Sequence, residues 1–174
     1  MKKDELQVAG RGRIRMYETL RSGTVRHVRD VEFDNLITQF GDEYYSKRAA
    51  EIGSIPDVTG IKLGTGVTTP SKTGGGAALA AYLTDSDQAI DGGFPTWTLS
   101  GTGRAELLYQ ATIPAGKATT VSPITEAVIT NENPLTDATS TTGTTISRAL
   151  VSDVTNKPAA WIYVVEWTHR FFGV

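Results

Sequence analysis

The side chains that most often carry catalysis or hold metals are scarce in this sequence. It has no cysteine and two histidines, His27 and His169, which lie far apart in the chain. Without cysteine there are no disulfides, thiolate metal sites or thiol nucleophiles. Neither histidine has carboxylates at metal-site spacing, and no Gly-x-Ser-x-Gly motif exposes a serine nucleophile. We therefore predict no metal site, no cofactor and no enzymatic activity.

Three aspartates, Asp85, Asp87 and Asp91, come closest to a cation site. Alternating carboxylates on a turn can converge on calcium, but the residues before Asp91 break the alternation. A solvated acidic loop is the better interpretation. The pair Gly64 and Gly66 lacks the third glycine of a dinucleotide-binding fingerprint. We interpret both glycines as turn residues that take a positive φ after a strand.

Arginines near the N-terminus form the strongest charge feature. Residues 11–29 contain six arginines and one acidic residue, Glu18, although the net charge of the whole chain is −2. That net charge gives no strong field to attract nucleic acid or an anionic membrane. Arginine binds carboxylates bidentately and is enriched at interfaces, so this segment predicts docking onto a neighbouring subunit. The predicted interface residues are Arg11, Arg13, Arg15 and Arg26.

Two other interpretations of the arginines stay open. A solvated edge strand can use its charges to discourage uncontrolled pairing. Nucleic-acid binding is less favoured, because no aromatic residues interleave with the arginines as a stacking platform would require. The interface interpretation predicts that reversing the charge of Arg13 and Arg15 together blocks assembly and leaves the melting temperature nearly unchanged.

The elements that carry these residues follow from periodicity. Residues 11–16 alternate arginine with Gly, Ile and Met, the period of a strand, and a turn at Arg21–Gly23 precedes a β-rich run. We predict a protruding hairpin or arm over residues 1–33 and a second domain over residues 34–174. The second domain begins with an amphipathic helix at 35–52, with Asn35 and Thr38 as its capping residues.

The rest of the chain has the pattern of short strands separated by turns. This pattern predicts a mainly β fold, an antiparallel jelly-roll-like β-sandwich with one N-terminal helix. In the last strand, aromatic residues recur at every second position and predict a buried face, with His169 near its edge. We expect the Gly/Thr-rich loops Gly64–Gly76 and Pro134–Thr144 to be exposed and mobile. The predicted strands are 59–63, 95–100, 106–113, 124–131, 145–151 and 160–172.

Two motifs carry a family resemblance: Asn35–Thr38 (NLIT) and Gly60–Ser71 (GIKLGTGVTTPS). With the tryptophan-containing C-terminal strand, they resemble a family of tailed-bacteriophage virion proteins over residues 35–172. Members are small β-sandwich components of tails, baseplates, necks and capsid surfaces. The resemblance implies a virion structural protein, assembled in the host cytoplasm, that forms a trimer or hexamer-type ring and binds other virion proteins. No apolar stretch approaches the roughly 18 residues of a membrane span.

Other functions within this setting remain open. A capsid decoration or head-fibre protein is one alternative to a tail, baseplate or neck component. A carbohydrate-binding module is another, because loops bearing Trp97, Tyr82 or Tyr109 could stack on sugar rings. For Trp97, which lies in an alternating strand, we favour a core position.

Overall fold

The structure is a computed structural model that describes residues 6–99 and 104–173. Within those residues the chain forms nine strands, one α-helix and a short 3₁₀ helix at Gly74–Ala77. The helix is α1 (Gln39–Ala49). The strands are β1 (Leu6–Thr19), β2 (Val25–Ile37), β3 (Gly60–Gly64), β4 (Gln88–Ala89), β5 (Thr96–Leu99), β6 (Ala105–Ile113), β7 (Glu126–Thr130), β8 (Thr145–Leu150) and β9 (Trp161–Gly173).

All neighbouring strands pair antiparallel, in the order β4-β3-β7-β8-β2-β1-β9-β6-β5, and form one curled sheet. The mainly β class predicted from the sequence is confirmed. β2 is the middle strand: its residues 25–35 pair with β1, and Leu36 and Ile37 pair with β8. Hydrogen bonds at the C-terminal end of β2 therefore connect the two halves of the sheet.

One hydrophobic core lies on the inner side of the curled sheet. It takes alternate residues from both halves, because successive side chains of a strand point to opposite faces. In β9 the predicted aromatic face is confirmed: Tyr163, Val165 and Trp167 are fully buried. His169 is also fully buried, so its predicted place near the edge of the face is wrong.

The N-terminal hairpin is part of the sheet. β1 pairs with β2 on one side and, from Leu6 to Glu18, with β9 on the other. The prediction of a protruding hairpin or arm is therefore wrong, and the predicted boundary at residues 33 and 34 falls inside β2. Alternation in the sequence identifies a strand but does not say how many neighbours it has.

Helix α1 starts later than predicted, because Leu36 and Ile37 are still part of β2. Thr38 is the N-cap residue as predicted: its hydroxyl accepts a hydrogen bond from Gly41 N (3.0 Å) and donates one to Thr145 O (2.6 Å). Asn35 is not a cap, since it lies in β2 and its Oδ1 accepts from Ser147 Oγ at 2.7 Å. In the described part of the chain, no helix is long and apolar enough to cross a membrane.

Candidate interaction site

Three of the four predicted interface arginines, Arg11, Arg13 and Arg15, lie on the outer face of the sheet, opposite the core. Each of the three faces an acidic residue of β2 in register: Arg11 pairs with Asp34, Arg13 with Glu32 and Arg15 with Asp30. We call these six residues the hairpin charge ladder. The prediction that the arginines are nearly unopposed is therefore wrong. Their counterparts come from residues 30–34 and from β9, which pairing brings beside β1.

The side of the ladder next to β9 is tightly bonded. Glu166 of β9 accepts hydrogen bonds from Arg13 Nε (2.7 Å) and forms an ion pair with Arg15 Nη2 (2.5 Å). The Glu166 side chain is only 12% exposed. The hydrogen bond to Glu166 raises the pKa of Arg13 above its usual value, and the nearby carboxylates of β2 act in the same direction. Arg13 and Arg15 thus share one nearly buried partner.

On the β2 side of the ladder, Asp34 and Glu32 are loosely bonded, whereas Asp30 contacts His27 Nε2 at 2.7 Å. Arg11 Nε lies 3.6 Å from Asp34, beyond hydrogen-bond length, and the two side chains are 61% and 89% exposed. Arg13 Nη1 lies 3.7 Å from Asp30. No hydrogen bond or ion pair joins Glu32 to any other residue within 6–99 or 104–173. Charges on this side are therefore open to solvent.

Arg26, the fourth predicted interface residue, lies near the turn of the hairpin. Its Nη2 contacts Glu18 of β1 at 2.5 Å, and its side chain is 65% exposed. Exposed pairs of this kind stabilise a fold by less than about 1 kcal/mol. The structure brings Arg11, Arg13 and Arg15 together in one row, whereas Arg26 belongs to a separate pair.

The motif glycines Gly64 and Gly66 are required by a close approach. A Cβ on Gly64 would lie 2.5 Å from Glu126 Oε1, and one on Gly66 would lie 2.7 Å from Ala80 Cβ. Neither residue has a positive φ, so the turn role we predicted is wrong. The sequence carried no signal for this role, because the crowding side chain lies about sixty residues downstream.

Glu126 and Arg148, which we call the loop clamp, form an ion pair of 2.6 Å and are both fully buried. Arg148 Nη1 donates to Gly76 O (2.9 Å), and Nη2 donates to Thr68 O (2.8 Å). The clamp therefore holds two points of the Gly64–Gly76 loop against the sheet.

The Glu126 carboxylate also accepts hydrogen bonds from backbone amides. Its donors are Gly66 N (3.0 Å), Ala80 N (3.0 Å) and Ala81 N (2.7 Å). A buried carboxylate needs such donors, because an unpaired charge in the protein interior is costly. The Gly64–Gly76 loop is thus attached to the sheet at Gly66, Thr68 and Gly76. Residues 67–69 and 72–75 of the loop are nevertheless exposed, as predicted.

A second buried cation lies beside the clamp on the same face. Lys62 is fully buried; its Nζ donates to Ala138 O at 2.8 Å and bonds to Glu132. Burial pushes the pKa of Glu132 up, but hydrogen bonds from Lys62 and Thr136 hold it below its ordinary value. Ala138 belongs to the Pro134–Thr144 loop, so this loop too is attached over the outer face of β3.

Strand β5 is an edge strand with exposed apolar side chains. It pairs with β6 alone, and Trp97 and Leu99 are 62% and 61% exposed. The core position predicted for Trp97 is wrong, because no further strand of the described residues covers that edge. Of the other aromatics, Tyr109 is buried, and the hydroxyl of the half-buried Tyr82 donates to Asp137 at 2.6 Å. Trp97 is the one of these three that is open for stacking.

The two histidines have different surroundings. Trp167 Nε1 donates to His169 Nε2 at 3.0 Å, and Tyr45 bonds to His169 Nδ1. An indole N–H can only donate, so Nε2 carries no proton and the ring is neutral. Burial lowers the pKa of His169 to about 3. His27 is exposed and contacts Asp30 at 2.7 Å.

The acidic loop at residues 85–91 has structural contacts. Asp91 accepts from Thr112 N (3.1 Å), Thr112 Oγ1 (2.8 Å) and Gln110 Nε2 (2.9 Å). Asp85 pairs with Lys117 at 2.5 Å. Among residues 6–99 and 104–173, no group of three or more His, Asp or Glu side chains could hold a metal ion.

A groove of about 830 Å³ runs between α1 and the ends of β1 and β9. Its apolar floor includes Val8, Tyr45 and Phe171. The cations at its rim are paired with carboxylates: Lys72 contacts Asp42 at 2.5 Å. Among the described residues that line it, Lys72 and Arg48 each have a carboxylate partner, so these cations do not select a ligand class.

Comparison with known protein families, curated proteins and solved structures gives no match for this chain. The resemblance to phage virion proteins consequently stays a prediction.

Proposed function

We propose that the chain is a structural component of a tailed-phage virion. In this role it forms a symmetric oligomer that bridges tail, baseplate or neck proteins. The observation that carries the proposal is the construction of the GIKLGTGVTTPS segment, whose loop is held by a buried ion pair and crowded glycines. Residues that hold a loop against the sheet specify a scaffold instead of a ligand site. A scaffold role suits a motif that is shared by subunits of an assembly. We further propose that the two halves of the curled sheet are the layers of a jelly-roll-like sandwich.

Edge strand β5 supports an assembly role. No strand within residues 6–99 or 104–173 pairs with its outer edge, and Trp97 and Leu99 stand on one side of it. Monomeric proteins usually protect such edges with charges, proline or a covering segment. An extended segment of a neighbouring subunit can add to an open edge and bury the apolar pair.

Mass analysis of purified phage particles encoding this chain tests the proposal. A copy number that is a small multiple of three or six supports a tail, baseplate or neck component. Hundreds of copies per particle would assign it to capsid decoration, and a few at the vertices to head fibres. Its absence from intact particles would overturn the virion proposal altogether.

The exposure of Trp97 favours a second candidate, a carbohydrate-binding module for host recognition. An exposed indole presents a flat apolar face that a sugar ring can cover. Calorimetry with host glycans should detect binding by the wild-type chain and its loss in Trp97→Ala. The matched control is Leu99→Ala, which removes an equally exposed side chain from the same strand but no ring. Equal loss in both variants would argue against stacking.

A further inference from the structure

The hairpin charge ladder lies on the outer face of the sheet, while the core fills the inner side of the curl. Among the described residues, the ladder positions of β2 pair with β1 alone, because only Leu36 and Ile37 of β2 pair with β8. The side chains of the ladder are therefore not covered by the core or by a further strand on the β8 side.

The register of the ladder makes it complementary to itself. Each arginine of β1 stands beside an acidic residue of β2 at the same height. A two-fold axis that runs parallel to β1 and β2, midway between them, exchanges the column of arginines on β1 with the column of carboxylates on β2. It places the partner's β2 over β1, so that Arg11 faces the partner's Asp34 and Glu32 faces the partner's Arg13. Isologous contacts require this kind of self-complementary surface.

The charges needed for such a contact are not used up within one chain. Arg11 and Asp34 are both largely exposed and too far apart for a hydrogen bond, and Glu32 has no bonded partner in the described residues. Arg13 binds Glu166 through Nε and Nη2, which leaves Nη1 facing outward at 3.7 Å from Asp30. Four weakly satisfied groups therefore remain on the outer face: Arg11, Asp34, Glu32 and Nη1 of Arg13.

We infer that two copies of this chain associate through the hairpin charge ladder about a two-fold axis parallel to β1 and β2. The inference rests on the proposed function only in taking a second copy as the partner. In a ring, this contact would join two rings back to back, because a two-fold cannot lie between successive subunits of one cyclic ring.

A second copy fits the surface better than other partners. The ladder contains three arginines and three carboxylates, so its charges cancel and it does not attract a phosphate backbone. A uniformly acidic or basic protein surface would meet repulsion from one of the two columns. The same face of a second copy presents carboxylates to the arginines of β1 and arginines to the carboxylates of β2.

Charge-swap variants of the full chain, followed by analytical ultracentrifugation, test this inference. In Arg11→Glu, position 11 faces the partner's Asp34 with like charge, and in Asp34→Arg two arginines face each other. We expect the dissociation constant of each variant dimer to rise by about tenfold or more. An equimolar mixture of the two variants should regain wild-type association, since both contacts are then between opposite charges. The matched control, Arg21→Glu in the exposed turn, should associate like the wild type.

Each outcome decides the inference. Weak self-association of each variant with recovery in the mixture supports it, as does dissociation of the wild type at about 1 M salt, where charges are screened beyond about 3 Å. A monomeric wild type, or a mixture that does not recover, overturns it. Melting curves of both variants identify any loss of folding, which would also prevent recovery. Trimers or hexamers that persist in all variants would overturn the two-fold contact but leave the proposed function intact. If the chain forms the expected dimers but is absent from phage particles, the two-fold contact stands and the proposed function is overturned.

Discussion

The outer face of the curled sheet differs between its two halves. Across β2, β1 and β9 it is open to solvent and carries arginine–carboxylate pairs at its surface. Across β3, β7 and β8 it is covered by two loops, and Lys62, Glu126 and Arg148 are fully buried there. Similar residue types occur in the two halves. A covered ion pair needs further hydrogen bonds to offset its loss of water, whereas an exposed pair is solvated.

The connections between strands account for the difference. β1 and β2 are joined by a tight turn at residues 20–24, which leaves no chain to cover the face. β3 is followed by a long segment that folds back, and β7 is followed by another before β8 begins. Where these segments contact the sheet, their buried backbone N–H and C=O groups need hydrogen-bond partners. Glu126 and Arg148 supply them.

The largest effect is expected from removing half of the loop clamp. In Arg148→Met, Glu126 keeps its charge without its partner, and Gly76 O and Thr68 O lose their donors. Removing one partner of a buried pair typically costs about 3–5 kcal/mol of unfolding free energy. Denaturant unfolding measures it, and hydrogen exchange should show earlier opening at the Gly66 and Ala81 amides.

The control for that variant is the double substitution Glu126→Gln with Arg148→Met. It removes both charges and leaves an amide oxygen that can still accept from the loop backbone. We expect the double variant to regain part of the lost stability. If it is less stable than Arg148→Met alone, the buried charge is not the source of the cost.

A second test concerns the open half. Our sequence-based expectation was that reversing Arg13 and Arg15 together leaves the melting temperature nearly unchanged. The structure predicts otherwise, because both arginines bind the nearly buried Glu166 and their reversal would surround it with carboxylates. We expect a loss of about 2 kcal/mol, the scale of hydrogen bonds to charged groups. Thermal melting of Arg13→Glu with Arg15→Glu measures it; a further Glu166→Gln substitution should restore part of the loss.

The third test addresses the crowding under the covered half. In Gly64→Ala the new Cβ meets Glu126 Oε1 at 2.5 Å, and the backbone of Ala81 cannot move away freely. Overpacking of this kind costs about 1–3 kcal/mol. The matched control is Gly75→Ala in the same loop, where a Cβ has nothing within 4 Å. Equal melting temperatures for the two variants would contradict the close-approach role of Gly64.

Six of the seven described strands after residue 56 could be predicted from the sequence; the two-residue strand β4 was not predicted. Turn residues punctuate them, and alternation in β9 identifies Tyr163, Val165 and Trp167 as core. Both signals are local, so they survive in a single sequence. The N-cap role of Thr38 was predictable for the same reason, since its partner Gly41 is three residues away.

What could not be predicted depends on contacts distant in sequence. The neighbours of Arg13 are Glu32 and Glu166, and the neighbour of Gly64 is Glu126. No local pattern encodes strand order, so the arginines looked unopposed and the glycines looked like turn residues. The position of Trp97 was predicted wrongly for a related reason. An alternating strand at the edge of a sheet has the same sequence pattern as one in its middle.

The smallest effect is expected for the most exposed pair, Arg26 and Glu18. A double-mutant cycle with Arg26→Gln and Glu18→Gln should give a coupling energy of about 0.2–1 kcal/mol, because water solvates both groups when the pair breaks. The coupling should also disappear at about 1 M salt. The same cycle across Glu126 and Arg148 should give a larger coupling that resists salt, since the covering loops exclude ions from it. Equal coupling energies with equal salt dependence would mean that the loops do not isolate the buried pair from water and ions. The two halves would then differ in geometry but not in electrostatics.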